Sequence, residues 1–200
     1  EELGSLTRSI DHIKEIIATQ QSYAGTSSLL EFAHIGDLLR DALKMSADAM
    51  ARHQVTVVSE IDAVPAMLLD KHLVLQILVN LIANAKHAMD GASEPQHRIT
   101  LRVHEIAFDT DRQLRIEVCD NGEGIRPEHL PSLFTHGFTT RKNGHGFGLH
   151  SCALAAREMG GTLTSHSDGP GHGAEFTLEL PLQRTAAAMC RQGRHLLHLA

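Results

Sequence analysis

"ILVNLIANAKHAM", residues 77–89, has the apolar spacing of a helix, yet it carries two asparagines four residues apart. Asparagine is a poor helix former because its side-chain amide competes for backbone hydrogen bonds. In a helix, Asn80 and Asn84 lie on one face, next to the stripe that faces the core. Amide oxygens are hard ligands of the kind that Mg²⁺ takes in small number, alongside water and phosphate oxygens. The pair therefore predicts either a magnesium site or two buried amides that cap loop backbone.

The segments around this helix alternate between strand and helix patterns. The helix itself is predicted over 70–90, with Asp70 as its N-cap and Gly91 just past its end. Strands are predicted over 29–35, 54–61, 97–108, 113–120, 162–167 and 173–181, and further helices over 35–53 and 148–161. Most connections between strands resemble hairpins, and Pro65 marks a turn. This order favours an α+β fold, a two-layer α/β sandwich whose mixed sheet carries helices on one face, over a doubly wound parallel sheet.

The ends of the chain have patterns of their own. Leu3, Leu6, Ile10, Ile13 and Ile17 follow one another at steps of three and four, which is the seam of a coiled coil. Two to three heptads are too short to stand alone, so we expect a stalk helix that ends a longer hairpin. An amphipathic helix packed on its own domain is the alternative. The predicted units are 1–25, 28–182 and a tail, 183–200, that is either helical or disordered.

Composition excludes several classes of protein. The 200 residues have 42% apolar content, enough for one core, and a formal net charge of −6 argues against a nucleic-acid binder. No apolar run approaches the roughly 18–20 residues that cross a bilayer. Cys119, Cys152 and Cys190 form no CxxC pattern, and the 15 histidines form no metal motif, so we expect free thiols in the reducing cytoplasm and no structural metal. Because the chain begins with Glu1, we expect it to be part of a longer protein with a sensor or membrane span.

Three glycine-rich segments follow the helix. They are "CDNGEGI" (119–125), "TTRKNGHGFGLH" (139–150) and "GPGHGAEF" (169–176). Each alone can be a turn that needs positive φ. In the second segment, however, the glycines directly precede a helix, whose N-terminal N–H groups and dipole favour an anion. Arg141 and Lys142 add positive charge, so this segment is either a phosphate-binding loop or a structural one.

Taken in order, these segments resemble a known family. "LVLQILVNLIANAKHAM", "DNGEGI", "LFTHGFTTRKNGHGFGLH" and "GAEFTLELP" look like the ATP-binding domain of sensor histidine kinases. This is the Bergerat fold, shared with gyrase, a heat-shock chaperone and the mismatch-repair ATPases. The four motifs span about 70–181. The leader "SIDHIKEIIATQQSYAG" resembles the second helix of the kinase dimerisation hairpin. The resemblance implies binding of ATP and Mg²⁺.

The resemblance also implies roles for single residues. Asn80 and Asn84 would hold Mg²⁺, and Asn80 with Arg141 would be catalytic. Asp120 would accept a hydrogen bond from the exocyclic amine of adenine and so select adenine over guanine. The other nucleotide-binding positions would be His87, Gly122, Gly124, Ile125, Phe134, Thr139, Thr140, Arg141, Gly144, Gly146, Gly148 and Leu149.

A mobile lid over the nucleotide is implied between about Phe134 and Gly146. Phe134 and Phe138 would be its apolar anchors, unless they are core residues under a loop. Arg141 stands where the family often has a phosphate-binding lysine, and Lys86 is an alternative to His87 as a phosphate ligand. The chain departs from many superfamily members at Ala174, where they carry a threonine near the adenine. One polar contact is therefore expected to be lost or supplied by water.

The residue at position 80 separates kinases from hydrolases in this superfamily. The hydrolytic branches usually carry a glutamate there, which can orient and deprotonate water. An amide cannot act as a general base. Asn80 therefore favours transfer of the γ-phosphoryl group to a protein nucleophile, a neutral imidazole, with catalysis by positioning and charge neutralisation.

The resemblance implies partners outside this sequence. His12 lacks the acidic residue that follows the usual acceptor histidine, and it lies in the second hairpin helix, so the acceptor is expected before Glu1. The expected partners are the protein's own dimerisation domain, in a homodimer, and a response regulator receiver domain. A membrane is expected only through other regions. Alternatives are an anti-sigma-type kinase, which the stalk argues against, a non-catalytic docking domain, which intact site residues argue against, and a gyrase-like energy-transducing ATPase, which Asn80 argues against.

Overall fold

Strands and helices alternate along the chain in the predicted order. The computed structural model describes residues 30–90, 96–108, 111–141 and 144–182. In these ranges the elements are β1 Leu30–Ala33, α1 Ile35–Arg52, β2 Thr56–Ile61, β3 Met67–Asp70, α2 Lys71–Met89, β4 Arg98–Phe108, β5 Asp111–Asp120, α3 Gly148–Glu158, β6 Thr162–His166 and β7 Ala174–Pro181, with a 3₁₀ turn at Leu130–Ser132. The predictions of a stalk helix over 1–25, a helix stop at Gly91 and a tail over 183–200 lie outside the described residues.

One strand has no counterpart in the sequence prediction. β3 is only four residues long, and it pairs antiparallel with β1 in a separate two-stranded sheet, with Leu30 opposite Asp70 and Ala33 opposite Met67. A strand this short shows no clear period of two, and its partner lies more than 30 residues earlier in the sequence. Its last residue is the N-cap of α2, so the little sheet fixes the point at which that helix begins.

The main sheet has five strands in the order β2-β4-β5-β7-β6. β2 runs parallel to β4, whereas β4, β5, β7 and β6 pair antiparallel in turn. Along β4, β5 and β7, alternate residues are fully buried, and the helices α2 and α3 pack against this side. The prediction of a mixed sheet with helices on one face is confirmed.

The core lies between the sheet and the helices. Its largest fully buried side chains are Leu39, Val74, Ile77, Leu78, Leu81, Ile82, Met89, Ile99, Leu101, Leu114, Ile116 and Leu178. Each such side chain contributes about 1.5–3 kcal/mol by leaving water. α2 supplies six of the twelve, so it is the central helix of the fold. Packing that anchors α2 so firmly also fixes the flank of the helix on which Asn80 and Asn84 stand.

The start of α2 agrees with the sequence prediction. The carboxylate of Asp70 accepts hydrogen bonds from the backbone N–H groups of His72 and Leu73, at 2.9 and 3.1 Å. A side-chain oxygen at the N-cap satisfies donors that have no partner inside the helix. Within the described residues, no helix is both long and apolar enough to span a membrane.

Candidate functional site

The two asparagines of α2 are linked to each other and to the loop before α3. Asn84 Nδ2 donates to Asn80 Oδ1 at 3.0 Å, and Arg141 Nη2 donates to Asn84 Oδ1 at 2.7 Å. Both asparagines are half-buried. The structure therefore brings together three residues that the sequence placed in one site, although Arg141 lies 57 residues beyond Asn84. Two hard amide oxygens on one helix face are a donor set that suits Mg²⁺.

The N-terminus of α3 lies directly against this pair. A Cβ atom on Gly148, the first residue of α3, would lie 2.7 Å from Asn80 Nδ2. Any larger residue at position 148 would displace the Asn80 amide or keep α3 from packing against α2. The N-terminus of a helix carries partial positive charge and unpaired N–H groups, which favour anions. The amide of Asn80 and the N-terminus of α3 are therefore adjacent, and their roles as cation and phosphate ligands stay predictions.

Asp120 ends β5 and is only 9% exposed. The pKa of its carboxyl is raised to about 6, mainly by burial and to a smaller extent by the charge of Glu123, against the lowering effect of hydrogen bonds from the backbone N–H groups of Gly122 and Ala174. The Gly122 N–H lies 2.8 Å from Asp120 Oδ1. A buried carboxylate keeps spare acceptor capacity, so a ligand N–H group would stabilise it.

The loop after β5 needs glycine for two different reasons. A Cβ on Gly122 would lie 2.7 Å from the backbone of Ala88 in α2, and the next residue, Glu123, donates its N–H to Ala88 O at 2.8 Å. Gly122 is therefore needed for close approach. Gly124 has φ +72°, where glycine is favoured, and it touches the backbone of Gly169. These contacts hold the loop between α2 and the turn that precedes β7.

The predicted lid is folded back on itself. Gly137 N–H donates to Gly146 O at 3.1 Å, and Gly146 has φ +73°. Phe134 packs against the core, and Phe138 meets the ring of His129 edge-on, with 5.6 Å between ring centroids. Both phenylalanines thus fix the segment to the domain, which fits the anchor role and the core role alike.

The remaining predicted site residues fall into two groups. Ile125 and Leu149 are partly buried and pack against the core, whereas Thr139 and Thr140 are exposed. The Thr139 hydroxyl accepts from the Arg141 N–H at 3.1 Å, and a Cβ on Gly144 would collide with that hydroxyl. Thr139 and Gly144 therefore shape the loop that presents Arg141.

His87 lies at the end of α2, near the charge of Arg141. Partial burial lowers the pKa of His87, and the charges of Arg141 and Lys86 lower it further, against the opposing effect of Asp90. Lys86 Nζ lies 3.8 Å from a carboxylate oxygen of Asp90, and His87 Nδ1 lies 3.3 Å from the same oxygen. Either residue could turn toward a phosphate only by leaving Asp90.

Ser167 is part of this site, although no sequence motif indicated it. Its hydroxyl donates to Gly173 O at 2.6 Å and accepts from the backbone N–H of Ile125 at 3.0 Å. It thereby links the loop after β5 to the start of β7, on either side of Asp120. The only sequence signal was its place beside the turn "DGPG", which is too common to assign a role.

A separate polar cluster lies on the opposite face of the sheet. The ligand atoms of Glu117, Cys119 and Glu175 lie within 4.8 Å of one another. Arg102 Nη1 lies 3.4, 3.5 and 3.7 Å from Glu117 Oε2, Cys119 Sγ and Glu175 Oε2, respectively. A guanidinium group thus already stands where a metal cation would have to bind, so this cluster is a neutralised part of the outer face.

Comparison with known proteins identifies the family of this fold. The profile of the family described as "Histidine kinase-, DNA gyrase B-, and HSP90-like ATPase" matches residues 69–184, from within β3 to just past β7. The chain belongs to this ATPase family. The match includes both asparagines, Asp120 and the helix start at Gly148. The predicted Bergerat-type ATP-binding domain, of the type found in sensor histidine kinases, is confirmed.

Similar proteins include sensor proteins of bacteria. The C4-dicarboxylate transport sensor protein DctS of Rhodobacter capsulatus is 32% identical over 76% of this chain and 23% of its own length. The sensor histidine kinase ZraS of Escherichia coli K12 is 29% identical over 92% of this chain and 37% of its own length. The chain therefore spans only between about a quarter and two fifths of the length of these relatives.

A solved structure shares the fold. Full-length ShkA in complex with AMPPNP superposes with a TM-score of 0.68, at 24% identity, over 81% of this chain and 33% of that one. At this level of identity the likeness bears on the fold alone, and it supports the two-layer arrangement of mixed sheet and helices.

Proposed function

We propose that this ATPase domain is the catalytic module of a two-component sensor histidine kinase. In this proposal it transfers the γ-phosphoryl group of ATP to a histidine of its dimerisation domain, for relay to an aspartate of a response regulator. The observation that carries the proposal is an amide, Asn80, which lies beside the N-terminus of α3 and accepts from Asn84, the residue that Arg141 contacts. The kinds of relative, sensor proteins and a sensor histidine kinase, support it.

Each end of the nucleotide would have its own part of the site. Asp120 would accept a hydrogen bond from the exocyclic amine of adenine. This contact would offset the free-energy cost of burying the charge of Asp120. The N–H groups that open α3 at Gly148 would face the phosphates, with Arg141 supplying a positive charge. Phe134 and Phe138 would hold the first part of the lid against the domain, while the part after Phe138 covers the nucleotide.

Mg²⁺ would be held by the amide oxygens of Asn80 and Asn84. When bound, it supplies neutralisation of the phosphate charge. Both oxygens now accept hydrogen bonds, from Asn84 Nδ2 and from Arg141 Nη2. Each amide oxygen has a second lone pair that could face a cation. A cation at Asn84 would repel the guanidinium group of Arg141, which could then approach the phosphates.

Phosphoryl transfer fits these residues better than hydrolysis does. Asn80 cannot take a proton from water at neutral pH, so the side chain nearest the start of α3 cannot serve as a general base. Positioning and charge neutralisation are enough for transfer to an imidazole, whose lone pair needs little activation. The acceptor histidine, the dimeric partner and the receiver domain are expected outside this sequence.

The proposed organisation follows the same reasoning. Residues 1–25 would be part of the second helix of the dimerisation hairpin, 28–182 the catalytic domain and 183–200 a tail. ATP as substrate and unpaired thiols place this part of the protein in the cytoplasm in our proposal. Any attachment to a membrane would come from other regions of the protein.

The first experiment is isothermal titration of AMPPNP, with and without Mg²⁺, into the wild type, Asp120→Ala and Asp168→Ala. Asp168 is a matched control because its side chain is 77% exposed and lies in the turn after β6. We expect the wild type and Asp168→Ala to bind AMPPNP with an affinity that depends on Mg²⁺. We expect the affinity of Asp120→Ala to be at least tenfold lower. Failure of the folded wild type to bind would favour a docking module instead.

The second experiment separates transfer from hydrolysis. The domain is incubated with labelled ATP and a separately supplied dimerisation domain that carries its acceptor histidine. For the wild type we expect label on that histidine and little free phosphate. For Asn80→Ala we expect no label on the histidine. Rapid hydrolysis by the isolated domain, abolished by Asn80→Ala, would contradict the kinase proposal.

A further inference from the structure

The hydroxyl of Ser167 has contacts with three backbone segments. It donates to Gly173 O at 2.6 Å, and it accepts from the N–H groups of Ile125 at 3.0 Å and Gly169 at 3.3 Å. One donor and two acceptor sites are the full capacity of a hydroxyl group. A serine that uses all of them for backbone in three places is a fixed point between the loop after β5 and the turn between β6 and β7.

One of these contacts fixes a peptide group that reaches Asp120. The carbonyl oxygen of Gly173 accepts from Ser167, and the N–H group of the same peptide unit, on Ala174, donates to the Asp120 carboxyl. Because a peptide group is planar, holding its carbonyl also sets the direction of its N–H. Gly173 has φ +69°, and a Cβ there would collide with Asp120 O, so the two strands are in close backbone contact at this point.

The second contact fixes the opposite side of the carboxyl group. Ile125 closes the loop that begins at Asp120, and its N–H is held by Ser167. The same loop is tied to the turn a second time, because Gly171 N–H donates to Glu123 O at 2.7 Å. The serine hydroxyl and this second hydrogen bond therefore hold the loop to the turn before β7 at two points.

We propose that Ser167 is a positioning residue for adenine recognition, which it serves through the backbone on both sides of Asp120. This inference rests on the proposed ATP-binding role of that carboxylate. Ser167 does not need to touch the nucleotide. Ala174 has no hydroxyl of its own, so the hydroxyl group that orders this end of the site comes from the end of β6 instead.

The simpler reading is that Ser167 only stabilises a turn. The two readings predict different nucleotide selectivity. If Ser167 only stabilises a turn, loss of its hydroxyl would affect folding and would weaken the binding of adenine and guanine nucleotides alike. A positioning residue would affect adenine nucleotides most, because only the exocyclic amine of adenine depends on the direction of the Asp120 carboxylate.

The test compares Ser167→Ala with Ser167→Thr, which keeps the hydroxyl, and with Ser165→Ala, which removes the same group two residues earlier in β6. Affinities for AMPPNP and GMPPNP are measured by titration calorimetry, and stability by urea unfolding. We expect Ser167→Ala to weaken AMPPNP binding about three- to tenfold, which corresponds to the net contribution of one hydrogen bond. GMPPNP should change much less, so the selectivity ratio should narrow, whereas both control variants should keep the wild-type ratio.

Three results would overturn the inference. An unchanged AMPPNP-to-GMPPNP ratio in Ser167→Ala would reduce Ser167 to a turn stabiliser while leaving the proposed function standing. A ratio narrowed equally by Ser167→Thr would show that the hydroxyl is not responsible. No AMPPNP binding by the folded wild type would refute the proposed function, and this inference with it.

Discussion

A single buried carboxylate, Asp120, connects the stability of this domain to its chemistry. Burial raises its pKa from 3.8 to about 6. A group whose pKa is higher in the folded state binds protons more tightly there, so stability falls as pH rises from about 4 to about 6. The shift corresponds to about 3 kcal/mol of lost stability at neutral pH. At neutral pH the free domain therefore carries a buried charge on Asp120 that lowers its stability. A hydrogen bond from a bound adenine amine would offset this loss.

Asp120→Asn should remove this pH dependence. The variant has no titrating group at the site, so the difference in unfolding free energy between variant and wild type should grow in favour of the variant between pH 4 and pH 6. Urea unfolding of both proteins at several pH values measures that difference, because all other titrating groups, including Glu123, are shared. A difference that stays constant with pH would mean that Asp120 does not titrate in this range.

Gly148 is a second residue at which function limits the choice of side chain. Gly148→Ala should weaken AMPPNP binding about tenfold, since its Cβ would lie 2.7 Å from the Asn80 amide. The matched control is Gly36→Ala, in the first turn of α1, where a Cβ meets nothing within 4 Å. That change should stabilise the domain by up to about 1 kcal/mol and leave binding unchanged. Equal binding by both variants would contradict the contact between α3 and Asn80.

The helices were predictable from the sequence because their signals are local. α2 was expected over 70–90 and runs from Lys71 to Met89, since its N-cap and its apolar spacing lie within the segment itself. By contrast, β3 depends on pairing with β1, and the link from Ser167 to Ile125 spans 42 residues. The site residues that could be named belong to motifs, whereas contacts that join distant loops carry no local pattern.

Capping gives a prediction for the two long helices. α1 begins after His34, which has the extended backbone of an N-cap but whose side chain makes no capping hydrogen bond. By contrast, the side chain of Asp70 caps α2 with two hydrogen bonds. His34→Ser should therefore stabilise the domain by about 0.5–1 kcal/mol, and Asp70→Ala should destabilise it by about 0.5–2 kcal/mol. Urea unfolding of the two variants measures both values. The same sign for both would show that capping does not limit stability here.

At the scale of the whole molecule, the sheet separates two environments. Its inner face carries the core and ends at Asp120, whereas its outer face carries charged side chains joined in pairs. Arg102 contacts Glu60 at 2.9 Å and also Glu117, and Arg115 contacts Glu179 at 2.6 Å. The Arg102–Glu60 pair is exposed and contributes little, whereas Glu117 is buried beside Arg102. Together these pairs keep the outer face polar and matched in charge. The proposed nucleotide site lies at the edge of the core, where α2, the glycine loops and α3 meet.

Because the site draws on α2, β5, the lid and α3 together, a bound nucleotide should stabilise the domain as a unit. Free AMPPNP at one hundred times its dissociation constant should raise the unfolding free energy of the wild type by about 2.7 kcal/mol, by mass action. Urea unfolding with and without AMPPNP measures this change, and a single coincident transition by circular dichroism and by NMR would show that the elements respond together. With the at least tenfold weaker binding expected of Asp120→Ala, the same concentration should raise its unfolding free energy by at most about 1.4 kcal/mol. An equal increase in Asp120→Ala would mean that the nucleotide binds elsewhere, and the site assembled around α2 would then have to be rejected.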